Sequence, residues 1–130
     1  MSMGKELDVA LNYMSDNFME KISVNDLEWI TGVSRFVLAR RFQRELGTTP
    51  MRWLWVFRVQ MGAVMLSKKP HWSCSDVAYH CGFESPAHFS RKFRIIYGNP
   101  PGYFRKTSLR SESQSLELLD CSTKLIKRFA

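Results

Sequence analysis

The sequence lacks several features that would assign it to whole classes of protein. No apolar run approaches the roughly 18 uncharged residues of a membrane span, and the N-terminus carries Lys5, Glu6 and Asp8 where a signal peptide would be apolar. Its three cysteines, at positions 74, 81 and 121, are an odd number without a framework spacing, which predicts reduced thiols. We therefore expect a soluble, cytoplasmic protein with no membrane partner.

The sequence also lacks the patterns of an enzyme or a cofactor-binding protein. Cys74 and Cys81 do not have the CxxC spacing of zinc sites, and no glycine-rich loop of the phosphate-binding kind is present. The remaining candidates for catalytic groups are three histidines, at positions 71, 80 and 88. We predict that the protein is not an enzyme and has no metal, no cofactor and no small-molecule site.

A convincing β-strand pattern is missing as well, so we predict an all-α fold of about seven helices. Leu7, Ala10, Leu11, Met14 and Phe18 recur at three-and-four spacing, which predicts an amphipathic helix over 5–19 with an acidic outer face. Capping serines, glycines and prolines delimit the other predicted helices. These cover 23–31, 34–46, 50–67, 73–80, 85–97 and 101–106.

The clearest positive feature is an internal repeat, because residues 23–53 recur with one inserted residue as residues 73–104. The matching positions include the pairs Ser23 and Ser73, Asp26 and Asp76, Gly32 and Gly82, Arg40 and Arg91, Arg41 and Lys92, and Phe42 and Phe93. Each copy contains two short helical patterns joined at a glycine, as in a helix-turn-helix. We predict one such unit over about 5–48, a linker helix over about 50–67, and a second unit over about 73–106.

These segments form one predicted domain over 1–106, which leaves residues 107–130 as a polar tail with at most a weak helix near Leu116 to Phe129. Thr49 and Pro50 mark the start of the linker helix. Its predicted apolar face consists of Trp53, Leu54, Phe57, Met61, Val64 and Met65.

The net charge of +7 is unevenly distributed. Between Trp29 and Arg110 there are fourteen lysines and arginines and three acids, whereas the first 28 residues contain six acids and two lysines. A basic centre is the electrostatic pattern of a polyanion binder, since cations that neutralise phosphates release condensed counterions. A merely solvated basic surface is the alternative explanation.

In a helix-turn-helix, the second helix lies in the major groove and presents its outer face to base edges. With Leu38 and Phe42 turned inward, a rotation of about 100° per residue places Arg40 outermost, and Arg91 is its equivalent in the second unit. The predicted base-contacting residues are Arg35, Phe36, Ala39, Arg40, Gln43, Pro86, Ala87, Ser90, Arg91 and Arg94. The predicted phosphate-contacting residues are Ser34, Arg44, Lys68, Lys69, Ser85, His88, Lys92, Arg105 and Lys106.

Two of these assignments have open alternatives. Arg40 and Arg91 can each donate hydrogen bonds from the planar guanidinium to O6 and N7 of guanine, or they contact phosphate or solvent instead. Phe36 either meets a thymine methyl group or folds under the first helix.

Several motifs together resemble the DNA-binding domain of the AraC/XylS family, over about Leu7 to Lys106. The resemblance is carried by Ser34 to Phe42 (SRFVLARRF), Gly47, Pro50, Arg58, Met65-Leu66, Val77-Ala78, Cys81 to Ser85 (CGFES), Phe89 to Phe93 (FSRKF), Gly98, Pro101 and Phe104-Arg105. It implies a bacterial transcription regulator whose two helix-turn-helix units enter successive major grooves on one face of the DNA. Members of the family are most often activators that also touch RNA polymerase.

Three positions depart from the family pattern. Glu28 replaces the usual alanine, so its carboxylate must point outward or find a basic partner such as Arg41. Gly62 also replaces an alanine, which predicts a weaker linker helix that can bend. Ala39 is too short for the hydrogen bonds that longer residues make at its position.

We therefore expect a sequence-specific DNA-binding transcription regulator that acts as an activator, with double-stranded DNA and RNA polymerase as partners. Because Phe36 and Gln43 are replaced by Ala87 and Arg94 in the second unit, the target site should be asymmetric. A helical protein-interaction adaptor and a nonspecific architectural DNA binder are the alternatives. The sequence fits both a stand-alone regulator and the DNA-binding part of a longer protein.

Overall fold

A computed structural model of the chain describes residues 4–108, and every regular element among them is a helix. The seven helices are α1 (Lys5–Asp16), α2 (Val24–Thr31), α3 (Arg35–Leu46), α4 (Pro50–Lys68), α5 (Cys74–His80), α6 (Pro86–Tyr97) and α7 (Pro101–Ser108). This architecture confirms the predicted all-α class, the helix order and the long linker helix. The predicted weak helix of the tail lies outside the described residues.

Local capping explains where the helices begin, which is why the sequence predicted these starts well. The Ser23 hydroxyl accepts a hydrogen bond from the Asp26 amide at 3.2 Å, and the Ser23 amide donates to the Asp26 carboxylate at 2.8 Å. Ser73 and Asp76 repeat this capping box before α5. Gly32, in the left-handed conformation at φ 75°, ends α2 as predicted.

The first helix is shorter than predicted, because α1 ends at Asp16 rather than continuing to residue 19. Asn17 caps this end, with its backbone amide 3.0 Å and its side-chain amide 2.9 Å from the Tyr13 carbonyl oxygen. Phe18 is nevertheless buried, because the chain turns back over the core after the helix ends. Phe18 therefore fits the helical spacing of the buried residues of α1 although it lies beyond the end of that helix.

Helix α4 lies at the centre of the fold, where it contacts α1, α3, α5, α6 and α7. The predicted apolar face was only part of the buried surface, since buried residues surround the helix: Trp53, Leu54, Val56, Val59, Gln60, Gly62, Ala63 and Leu66. Four of the predicted residues, Phe57, Met61, Val64 and Met65, are only half-buried. A helix packed between two units has no fully solvated side, so a one-face periodicity does not describe it.

Gly62 has a packing role that the sequence did not reveal. A Cβ atom at this position would lie 2.6 Å from Cε1 of Phe89, so the glycine makes room for the ring. Helix α4 runs as one element from Pro50 to Lys68 through this point. The glycine therefore allows the close approach of α6, where we had predicted a place of bending.

The side chain of Arg58 ties the turn after α1 to the linker helix. Its Nε donates to the Phe18 carbonyl oxygen and its Nη2 to the Glu20 carbonyl oxygen, both at 2.8 Å. Gly82 of the second unit closes over the same carbonyl, because a Cβ there would lie 2.5 Å from the Phe18 oxygen. The two units thus share a junction formed by Phe18, Arg58 and Gly82.

Candidate nucleic-acid interface

Helix α3 presents the outer face that the sequence predicted. Its inward residues Leu38, Phe42 and Leu46 are buried in the core. The opposite side is exposed and consists of Phe36, Ala39, Arg40, Gln43 and Arg44. This arrangement leaves a cationic and aromatic strip facing solvent along the whole helix.

Helix α6 repeats this arrangement in the second unit. Phe89, Phe93 and Ile96 are buried, whereas Ala87, Arg91 and Arg94 are exposed. Pro86, His88 and Ser90 are half-buried beside this strip, and the His88 ring meets the edge of Phe83 with centroids 5.4 Å apart. Arg40 and Arg91 therefore occupy equivalent, solvent-facing positions on two similar helices.

The N-termini of both helices are capped by the predicted serines. Ser34 accepts a hydrogen bond from the Val37 amide at 3.3 Å, and Ser85 accepts one from the His88 amide at 3.1 Å. Each hydroxyl uses its oxygen for the cap and keeps its own proton for a further acceptor. A phosphate oxygen is an acceptor of this kind, and the positive end of the helix dipole favours it.

The structure excludes one of the two alternatives for Phe36, and the contact with a thymine methyl group stays a prediction. Its side chain is 75% exposed, so the ring is not folded under the first helix. An aromatic ring in this position has apolar surface to offer to a partner.

The Arg35 guanidinium is engaged within the first unit rather than on the outer strip. Its Nη2 lies 3.0 Å from Glu28 Oε1, and its backbone amide donates to Glu28 Oε2 at 2.8 Å. It also donates to the Asn25 side chain. These hydrogen bonds from Arg35 lower the pKa of Glu28 below its ordinary value. Glu28 thus has the basic partner that was one of its two predicted alternatives, and this partner is Arg35 rather than the suggested Arg41.

Arg41 pairs instead with Glu6 of α1, an interaction that the sequence analysis missed. Beside it, Arg40, Arg44 and Val37 complete a shallow cavity of about 250 Å³ on one flank of α3. Arg44 also approaches the neighbouring Glu45 at 3.4 Å. Three arginines lining one cavity make this flank a favourable place for an anionic group.

The predicted phosphate contacts fall into two groups. Lys68, Lys69 and Lys106 are exposed, and the Lys69 ammonium lies 5.7 Å from the centroid of the Trp72 ring. Arg105 instead donates to the carbonyl oxygens of Leu66 and Lys69, at 3.1 and 3.2 Å, and so caps the end of α4. The Lys92 ammonium lies 4.4 Å from the centroid of the Trp55 ring. Arg105 and Lys92 are thus placed against protein groups, which local sequence could not show.

Residues 4–108 hold neither a metal-binding cluster nor a membrane-spanning helix. Within that range, no group of three or more His, Cys, Asp and Glu side chains could hold a metal ion, and no helix is long and apolar enough to cross a membrane. Cys81 is fully buried with its Sγ 3.6 Å from Met65 Sδ, and burial raises the pKa of the thiol to about 12. Cys81 is therefore a small residue of the hydrophobic core.

Comparisons with known proteins agree with this geometry. A sequence model described as a helix-turn-helix domain matches residues 29–107. The transcriptional activator RhaS of Escherichia coli O157:H7 is 33% identical over 100 residues, which are 77% of this chain and 36% of that protein. The chain spans about a third of the length of the relatives that it matches.

Solved structures show the same fold. A transcriptional regulator from Chromobacterium violaceum, described as having an AraC-type DNA-binding domain, is 30% identical with a TM-score of 0.74, over 83% of this chain and 94% of that one. The DNA-binding domain of AdpA, in complex with a target DNA, is 27% identical with a TM-score of 0.77, over 85% and 99% of the two chains. With its repeated helix-turn-helix units and long linker helix, this chain belongs to the AraC/XylS family of DNA-binding domains.

Proposed function

We propose that the protein is a sequence-specific transcription regulator that reads two successive major grooves of DNA with α3 and α6. The observation that carries this proposal is the exposure of Arg40 and Arg91 at equivalent positions of two similar helices. Both helices contact the same central helix, α4, and each buries aromatic side chains in the core. The relative known as AdpA binds its target DNA with a domain of the same fold, which supports the assignment.

Arginine is suited to base recognition because its planar guanidinium can donate to O6 and N7 of guanine together. Such a contact discriminates against the wrong base by about 1–3 kcal/mol. Arg40 and Arg91 supply this contact in the two units, with Gln43 and Arg94 beside them. Ala39, Pro86, Ala87 and Ser90 add short side chains that allow the backbone to approach the bases.

The remaining charge supplies affinity that does not depend on sequence. Arg44, Lys68, Lys69 and Lys106 are exposed, and the cap serines Ser34 and Ser85 stand at helix N-termini, where the helix dipole favours a phosphate. Each neutralised phosphate releases condensed counterions, so the affinity falls steeply as the salt concentration rises.

The two half-sites should lie about one helical turn apart, or 10–10.5 base pairs, because each recognition helix enters its own groove. The site should be asymmetric, since Phe36 and Gln43 in the first unit correspond to Ala87 and Arg94 in the second. If the helices are closer together than the grooves, the DNA bends at a cost of about 1–6 kcal/mol.

Activation is the proposed regulatory outcome, with RNA polymerase as the second partner. The relative RhaS is described as a transcriptional activator, and it aligns with 77% of this chain. A reporter gene downstream of the selected site tests this part, since an activator raises transcription and a repressor lowers it.

Selection of bound sequences from a random DNA pool tests the central proposal. The selected duplexes should show two unlike half-sites about one turn apart. Binding of Arg40→Ala and Arg91→Ala to selected and random duplexes is then measured at several KCl concentrations. Each variant should lose about 1–3 kcal/mol on the selected site and much less on random DNA.

Lys69→Ala is the control, because loss of a phosphate contact should weaken binding evenly on all sequences. Equal losses on both duplexes for the two arginine variants would indicate an architectural DNA binder. Failure to enrich any sequence, together with weak salt dependence of partner binding, would indicate a protein-interaction adaptor.

A further inference from the structure

Both recognition helices carry a cation that contacts a group on a neighbouring helix. Arg41 in α3 and Lys92 in α6 occupy equivalent positions of the repeat. Arg41 pairs with Glu6 of α1, and the Lys92 ammonium lies over the Trp55 ring of α4. The two units thus use different chemistry to hold the same flank of the recognition helix against another helix.

The contact between Lys92 and Trp55 is well formed. The ammonium lies 4.4 Å from the ring centroid, inside the distance of about 6 Å at which the ring quadrupole attracts a cation. Both side chains are half-buried, so the contact is partly shielded from water. The charged group is therefore already engaged at the flank of the helix.

The location of Trp55 gives this contact a consequence for both units. Trp55 belongs to α4, which also packs against α1 and α3. Because α3 and α6 both pack against α4, the orientation of α6 relative to α3 depends on how each helix is held on α4. Helix α6 therefore meets α4 at two places, where Phe89 packs against Gly62 and where the Lys92 ammonium lies over Trp55.

We propose that Lys92 is a positioning residue that determines which spacing between half-sites the protein accepts, and that it does not bind phosphate. This inference depends on the proposed reading of two grooves by α3 and α6. One added base pair displaces the second half-site by about 3.4 Å and rotates it by about 35°, given 10–10.5 base pairs in a turn of 34–36 Å. A helix held at its flank cannot follow that displacement and rotation, whereas a loosened helix can follow part of it.

The test measures dissociation constants of the whole chain for the selected site and for versions with one base pair added or removed between half-sites. The variants are Lys92→Gln, Trp55→Leu and the double substitution, each studied at several KCl concentrations. The wild-type protein should bind the selected spacing about tenfold or more tightly than the altered spacings, because an altered spacing removes at least one base contact. Each single variant should reduce this preference by about 2- to 5-fold, and the double variant should reduce it no further.

Salt dependence separates positioning from phosphate binding. Lys92→Gln should leave the slope of log affinity against log salt unchanged. The matched control is Lys69→Gln, which also removes a lysine from above a tryptophan ring, that of Trp72, but outside the recognition helices. It should make the negative slope shallower by about 0.9 and leave the spacing preference intact. Lys92→Arg should keep the preference, because arginine also binds the face of the ring.

If Lys92→Gln makes the negative slope shallower by about 0.9 and leaves the spacing preference unchanged, Lys92 binds phosphate and the proposal is overturned. A lower melting temperature with an unchanged spacing preference would overturn it too, since the contact would then serve stability alone. Additive effects in the double variant would separate Lys92 from Trp55 and contradict the mechanism. Failure of the proposed function looks different, because the wild-type protein would then bind selected and random duplexes alike.

Discussion

The ring of Phe89 lies directly against the backbone of Gly62, where an added Cβ atom would be 2.6 Å from Cε1 and 2.7 Å from Cζ. Phe89 is the first buried residue of the recognition helix α6, and Gly62 is in the middle of α4. Any side chain at Gly62 must push the two helices apart or displace the ring. The glycine therefore sets how closely the second recognition helix lies to the linker.

Gly62→Ala should destabilise the protein, although alanine is the better helix former. The gain in helix propensity is about 1 kcal/mol, whereas overpacking a filled core costs about 1–3 kcal/mol. Urea denaturation measures the difference in the free energy of unfolding. Phe89→Leu in the Gly62→Ala background should recover part of the loss by making room for the methyl group.

Gly102→Ala is the matched control, because a Cβ at that exposed helical position meets no atom within 4 Å. This control should be neutral or stabilising by up to about 1 kcal/mol. If Gly62→Ala behaves like Gly102→Ala, the close packing against Phe89 does not constrain α6.

Phe36 should recognise a thymine methyl group without contributing to stability. Its 75% exposure predicts that Phe36→Ala changes the free energy of unfolding by less than about 0.5 kcal/mol. Replacement of single thymines by uracil in the selected first half-site should weaken wild-type binding at one position. The Phe36→Ala variant should be insensitive to the same replacement, because the ring that meets the methyl group is gone. An equal response of both proteins to uracil would rule out this contact.

Glu28 should restrain the DNA affinity of the first unit by holding Arg35. Glu28→Gln removes the ionic partner of the guanidinium while keeping a side chain of similar size. We expect tighter binding to all duplexes, with the slope of log affinity against log salt steeper by up to about 0.9, because Arg35 becomes available to a phosphate.

Glu84→Gln provides the charge-matched control for Glu28→Gln, since Glu84 is an exposed acid just before the second recognition helix. The gain specific to Glu28 is the difference between the two variants, and Arg35→Ala should abolish it. A loss of sequence preference in Glu28→Gln would instead show that Arg35 reads a base while paired.

Alkaline solution should destabilise the fold through Cys81 and Tyr97. Burial raises the pKa of each group to about 12, from ordinary values of 9.0 for the thiol and 10.0 for the phenol. The unfolded chain therefore releases these protons at lower pH than the folded chain does. The free energy of unfolding should be constant up to about pH 9 and fall as the pH rises toward 12.

Urea denaturation at a series of pH values between 8 and 11 checks this, with the pH values chosen to span the ordinary thiol and phenol range. Cys81→Ala should remove the part of the decline that begins near pH 9, and Tyr97→Phe the part that begins near pH 10. A decline of the same size in both variants would assign the alkaline sensitivity to other groups.

The sequence predicted those parts of the structure that depend on neighbouring residues. The Ser23 and Ser73 capping boxes each involve residues three positions apart, so the helix starts could be located from local patterns. The same holds for the outer faces of α3 and α6, because one helical period fixes which residues lie opposite Leu38 and Phe89. The apolar face of α4 could not be found in this way, since contacts on several sides bury it.

Which basic residues remain available to DNA depends on tertiary contacts, and here the sequence was less informative. Arg41 and its partner Glu6 are 35 positions apart, and nothing in either segment indicates the pairing. Arg105 and Lys92 were predicted to contact phosphate from charge alone, whereas a helix end and an aromatic ring engage them. The sequence did indicate a partner for Glu28, because an acid in place of alanine requires a cation unless it points outward. The cation is Arg35 rather than Arg41.

The shared junction of Phe18, Arg58 and Gly82 limits how this domain can be divided or recombined. Phe18 lies in the first unit, Arg58 in the linker helix and Gly82 in the second unit, so neither unit is a self-contained module despite the duplicated sequence. A chimera that combines one half with the corresponding half of a relative must therefore transfer all three positions as a set. Engineering new specificities is better confined to the exposed strips of α3 and α6.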